Sequence, residues 1–160
     1  IYFLTQDPKA RQAALNLRDA VLHLRRDGAF VAVPLYRVNY GPIGPHPAGS
    51  YEIWCPAESF ASVFSYLALN RGDLSILVHP LTRDERNDHE TRRAWLGPSF
   101  PIYLDALPVR STEIPMQYTS LNLGYSSPNP GLTVEERKKA GATIEDALRG
   151  EPEAAPAPVG

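Results

Sequence analysis

The sequence holds a single cysteine, Cys55, and a single methionine. One cysteine excludes an internal disulfide and a cysteine-rich zinc cluster, so any metal must rely on imidazole and carboxylate donors. No apolar run approaches the roughly 18 residues of a membrane span. The opening Ile1-Tyr2-Phe3-Leu4 lacks the basic and long apolar regions of a signal peptide. Sixteen basic against eighteen acidic residues leave a formal charge of −2, without the one-sided excess that nucleic acid or anionic lipid demands. A Gly-rich phosphate loop, a G-x-S-x-G elbow and an H-E-x-x-H helix are also missing, so nucleotide-enzyme and hydrolase templates find no support. The expectation is a soluble, cytoplasmic protein with no nucleic-acid or membrane partner. What is present is 160 residues with 43% apolar and 21% charged side chains, enough for one ordinary domain, and four histidines: His23, His46, His79 and His89.

Ile1 to Leu4 reads as a strand with little lead-in, which suggests that a natural N-terminal segment lies upstream. From Asp7 to Arg26, Ala10, Ala14, Leu17, Val21 and Leu24 recur at helical spacing, with Asp7-Pro8 as N-cap and first helical residue and Gly28 as a stop. Phe30 to Val38 is a Val- and aromatic-rich strand that Pro34 assigns to an edge. A Pro/Gly loop around His46 follows, then a strand over Tyr51 to Cys55, a helix over Ala57 to Asn70, and a strand over Leu74 to His79. The order β-α-β-β-α-β is the ferredoxin-like split arrangement: an α+β fold with an antiparallel sheet in the order 4-1-3-2 and two helices on one face. Beyond it, Asp84 to Leu96 reads as helical, Ile102 to Val109 as extended, and Val134 to Leu148 as a helix boxed by Thr133 and Glu136. The chain thus divides into a ferredoxin-like domain over 1–109, an irregular extension over 110–131 that covers its own core or a partner subunit, a helix within 132–150, and a disordered Pro/Ala-rich tail over 151–160.

This topology is expected to bring the start of the first strand, the start of the third and the end of the fourth to one sheet edge, with the first and third strands parallel. His46, before the third strand in a loop stiffened by Pro42, Pro45 and Pro47, would then approach His79 at the end of the fourth. Alternation assigns Leu74, Ile76 and Val78, and likewise Tyr51, Ile53 and Cys55, to the helix-covered face. Glu52, Trp54 and His79 are left on the open one. Imidazoles, a carboxylate and an aromatic side chain on a half-open face suit Fe(II) or Zn(II) with exchangeable positions. The plainer readings stand beside this: His79 before Pro80 simply ends a strand, His46 is a solvated turn residue, and Glu52 pairs with an arginine. His23, beside Arg25 and Arg26, reads as a surface residue, and Cys55 as core rather than nucleophile.

In Gly44-Pro45-His46-Pro47, in Asn70-Arg71-Gly72-Asp73 running on to His79-Pro80, and in Asp88-His89 through Ala94-Trp95-Leu96-Gly97, the chain resembles the DOPA 4,5-dioxygenase family over about Ile1 to Leu107. The resemblance implies a small, often dimeric enzyme that opens a catechol ring beside its hydroxyls with O₂ and nonhaem Fe(II), zinc being a substitute. It implies His46 and His79 as metal ligands and His89 as a pocket residue, with a third histidine expected just before Ile1. A positioned acid/base is then needed, and histidine, with an unperturbed pKa of about 6.5, suits it. His89 is the candidate, with Glu52 as alternative or orienter. Tyr2 and Trp54 are candidates to pack on the substrate ring, and Arg71 or Arg83 to pair with a substrate carboxylate. The expected partners are therefore a small catechol, O₂ and a second copy of the chain. The alternative is a ferredoxin-like metal- or small-molecule-binding protein without oxygenase activity.

Overall fold

The computed structural model describes residues 1–34, 37–115, 133–152, 154 and 158. The chain forms two compact units, Ile1–Ser127 and Pro128–Gly160. Among the described residues it is a mixed α/β protein with small antiparallel sheets and four α-helices.

In the first unit, β1 (Tyr2–Phe3) leads into α1 (Pro8–Arg26). Asp7 caps that helix as its sequence suggests, its Oδ1 accepting the Lys9 N–H at 2.8 Å, and Pro8 occupies the first turn, where a missing N–H costs nothing. Ala14, Leu17 and Val21 are buried on one face, and Tyr51 donates its hydroxyl to the Ala14 carbonyl at 2.9 Å, tying α1 to the sheet. β2 (Val33–Pro34) pairs with β4 (Ile53–Trp54), and β3 (Gly49–Ser50) pairs with β1, each antiparallel. Isolated bridges join Tyr2 to Ser75 and Asn39 to Ser50. Gly49 is required where it stands, because a Cβ there would lie 2.6 Å from a ring carbon of Phe3. A short 3-10 turn, Ala57–Ser59, opens α2 (Phe60–Asn70), which places Val63 and Leu67 in the core with Ile1, Phe3, Leu74 and Ile76.

Several expectations need correction. The first and third strands are antiparallel, with Tyr2 opposite Ser50 and Phe3 opposite Gly49, so they do not start from one edge. The segment 84–96 is not one helix: α3 (Glu85–Glu90) stops after six residues and β6 (Ala94–Leu96) follows. β5 (Ile76–Val78) offers a free edge, and Ile76, Leu77 and Val78 pair with Leu96, Trp95 and Ala94. A ladder partner of this kind outweighs the helical propensity of a short segment. Ile102 to Val109 is not extended either, because Leu104–Ala106 closes into a 3-10 turn through bonds from Ala106 N to Tyr103 O and from Leu107 N to Leu104 O, both 3.0 Å. The described start of the extension packs on its own chain: Ser111 N donates to Arg83 O and Arg110 Nη1 to Asp84 Oδ1, both at 2.7 Å. The irregular anchors Met116, Tyr118, Leu121 and Leu123 and most of the Pro/Ala tail lie outside the described residues.

In the second unit, α4 (Val134–Ala147) begins as the sequence indicates, with the Thr133 and Glu136 side chains each accepting the other's backbone N–H. Among the described residues no helix is long and apolar enough to cross a membrane.

Candidate metal centre

Alternation along β5 continues into the site. Ile76 belongs to the core and Val78 packs against it, which turns Leu77 and His79 the other way. Along the third strand Tyr51, Ile53 and Cys55 join the core, leaving Glu52 and Trp54 opposite. Burial pushes the Cys55 thiol up, which fits a packed, unreactive side chain.

His46 is delivered by a tight turn. Ile43 and His46 exchange backbone hydrogen bonds of 3.0 and 2.9 Å, and Gly44 sits between them at φ +52°. Tyr103 N donates to the Pro45 carbonyl at 3.0 Å and fixes this turn from outside. Folding the loop back in this way brings His46 to Tyr2, although the strand directions differ from those expected. The Tyr2 hydroxyl lies 2.6 Å from His46 Nδ1.

His46, His79 and His89 come together. The rings of His79 and His89 are 4.1 Å apart between centroids, and those of His46 and His89 are 5.9 Å apart. His79 Nδ1 lies 2.7 Å from the Pro80 carbonyl and His89 Nδ1 2.9 Å from the Glu85 carbonyl. A carbonyl only accepts, so both rings carry their proton on Nδ1 and, when neutral, present the Nε2 lone pair. Burial first and the His89 ring second pull both His46 and His79 down to about 4, which keeps them neutral at pH 7.

A cavity of about 600 Å³ opens beside this cluster, and Tyr2, His46, Glu52, Trp54 and His79 all line it. Phe60 and Phe64 of α2 give it an apolar wall. Cavities of this size and character suit a small aromatic ligand.

The other site candidates are placed differently. His89, 8% exposed, faces the two imidazoles but is not part of the cavity wall. Tyr2 is 3% exposed and stacked on Phe100 at 5.4 Å and 15°, with Trp95 at 5.3 Å, so its ring faces are already covered. Its hydroxyl is engaged with His46, and the residue also borders the cavity. Burial raises the Tyr2 phenol, which therefore stays protonated. Arg71 is not at the cavity: its Nη1 donates to the Gly72 and Leu74 carbonyls at 3.0 and 2.9 Å and lies against Gly97. Arg83 gives its Nε to the Ser111 carbonyl at 3.1 Å. His23 is exposed beside Arg26, as its sequence neighbours indicate. Sequence reasoning missed Arg92, which lines the cavity, and the buried Asp88 that holds it at 3.0 Å; their i, i+4 spacing was the available signal.

Among the described residues no group of three or more His, Cys, Asp or Glu side chains is arranged to hold a metal ion. The chemistry of the donors nevertheless fits a divalent transition metal: His46 and His79 are neutral, and both border the cavity.

A crystal structure of a Nostoc punctiforme protein classed as a candidate dioxygenase aligns with a TM-score of 0.55 and 34% identity, covering 66% of this chain and 84% of that one. A DOPA 4,5-dioxygenase from Amanita muscaria is 66% identical over 158 residues, which cover 99% of this chain and 69% of the relative. A Botryotinia fuckeliana protein, described as an uncharacterized 21.2 kDa protein, is 36% identical over 105 residues, covering 60% of this chain and 56% of that protein. The model of the Dopa 4,5-dioxygenase family matches residues 1–106, and the chain belongs to that family. The fungal relative carries the similarity beyond Leu107, so the C-terminal extension is not outside it.

Proposed function

We propose that the chain is an extradiol ring-cleaving dioxygenase that opens an L-DOPA-like catechol with O₂ at a nonhaem Fe(II) held by His46 and His79. One observation carries this reading: the neutral imidazoles of His46 and His79, each paired with the His89 ring, line one cavity with an apolar side. The name of the 66% identical relative supports the substrate class. The bridges Tyr2–Ser75 and Asn39–Ser50, with the ladders β1–β3 and β2–β4, support a ferredoxin-like sheet in the order 4-1-3-2.

His46 and His79 would hold the Fe(II), which would supply a Lewis-acid site for the catechol oxygens and a redox link between the ring and O₂. The protein's own groups do the rest. Phe60 and Phe64 offer the ring an apolar wall, and Trp54 borders the same space. Glu52 is our candidate to accept a catechol hydroxyl proton or to orient the group that does, a reading supported by its position on the cavity wall. His89 is the other candidate acid/base, supported by its contact with His79. A homodimer belongs to this reading and is checked by light scattering.

Anaerobic loading with Fe(II), then L-DOPA and oxygen, tests the assignment. A yellow ring-opened product with matching oxygen uptake is expected. Tight metal binding with no oxygen uptake would instead favour a binding protein.

A further inference from the structure

The carboxylate of Asp88 is 2% exposed, a placement that is costly unless every lone pair finds a donor. Its Oδ2 accepts the Thr82 backbone N–H at 2.7 Å and the Thr82 hydroxyl at 2.8 Å, and its Oδ1 accepts Arg92 Nη1 at 3.0 Å. Thr82 Oγ1 in turn accepts Asp84 N and Arg92 Nη1, each at 3.1 Å. Two features connect this knot to the histidines. Asp88 immediately precedes His89 on α3, and Thr82 lies three positions beyond His79. The His79 ring is itself bonded to the Pro80 carbonyl at 2.7 Å, so the segment 79–82 is pinned at both ends, once by its own imidazole and once by Asp88.

We infer that Asp88 is the positioning residue of the histidine cluster, fixing the segment that carries His79 against the helix that carries His89. The inference rests on the proposed metal role of His79. α3 has only six residues and no side-chain cap, so its own hydrogen bonds are too few to hold the two rings in a fixed relation. The Asp88–Arg92 pair alone would add little net stability, since the Arg92 side chain is 42% exposed and solvent screens it. What an apolar residue cannot do is accept the Thr82 N–H, and that bond sets the path of the chain leaving His79.

Asp88→Asn keeps one acceptor oxygen and turns an amide donor toward either the Thr82 N–H and hydroxyl or the Arg92 guanidinium, so the two sides of the carboxylate can no longer both be satisfied. The variant is compared with wild type by far-UV circular dichroism, by the NMR signal of the His79 ring Nδ1–H in metal-free protein, by Co(II) titration, and by kcat and KM after Fe(II) loading. An unchanged fold is expected, with a shifted His79 signal, Co(II) affinity lower by about 10–100-fold as for other groups that orient metal ligands, and kcat reduced with KM little changed. Thr82→Val, which removes only the hydroxyl bond, should move the same readouts in the same direction by less. A folded Asp88→Asn with a wild-type His79 signal and wild-type Co(II) affinity overturns the inference. If Asp88→Asn does not fold, Thr82→Val decides by the same criteria. If wild type binds no metal, the proposed function fails separately, and the His79 ring signal in the metal-free variants still decides the positioning role.

Discussion

The hydroxyl of Tyr2 and Nδ1 of His46 lie 2.6 Å apart across 44 positions of sequence, and this bond joins the first strand to the loop that supplies one of the cavity's imidazoles. A metal on His46 Nε2 requires the proton on Nδ1, with the phenol oxygen accepting it. Tyr2→Phe removes that acceptor and keeps the ring stacked on Phe100. The variant should fold normally and bind metal about 10–100-fold more weakly, as read by Co(II) titration. Unaltered affinity would detach Tyr2 from the site.

His46→Ala and His79→Ala should each abolish metal binding, while His23→Ala should leave it intact, because His23 is exposed beside Arg26. Metal content after reconstitution and desalting is the measurement. Retention of a full equivalent by His79→Ala would remove it from the ligand set.

Stability of the metal-free protein should fall in acid. Both His46 and His79 titrate at about 4 in the folded state against 6.5 for a free imidazole. Between those values the unfolded chain binds more protons than the folded one, so stability is full above about pH 6.5 and is lost as the pH drops toward 4. Urea midpoints at pH 7 and pH 5 check this, with His79→Gln as the control that should lose less. Equal losses in the two proteins would show that His79 does not contribute.

Gly49→Ala should destabilise the protein by about 1–3 kcal/mol, the usual cost of overpacking. The added methyl would lie 2.6 Å from both a Phe3 ring carbon and Thr5 Cγ2, and Phe3 is 2% exposed with no space to retreat. Thermal unfolding reads the effect, and a variant as stable as wild type would mean that β1 and β3 shift apart freely.

Local signals in the sequence carried much of this structure. Asp7-Pro8 and Thr133 with Glu136 mark helix starts because capping depends on neighbours a few positions away. The alternation of Leu74, Ile76 and Val78 against His79 was legible because a pleat has a fixed period. The fate of Ala94-Trp95-Leu96 was not legible, since three residues carry no period and their state depends on the exposed edge of β5. The same limit applies to the site. His46 and His79 were paired by topology, but the route ran through a strand direction that is reversed in the structure, and it is the turn at Gly44 that brings His46 back. Arg71 was placed by its charge, whereas its position is set by two backbone carbonyls that no sequence pattern announces.

β1 is two residues long, yet its neighbours are Gly49 and Ser50 on one side and Ser75 on the other. None of these contacts is local, so the strand gains nothing until long loops have closed around it. Refolding should therefore be limited by the capture of this short segment, with α1 forming early and the imidazole cluster assembling last. A burst of helical circular dichroism that precedes recovery of metal binding would be the kinetic signature of that order.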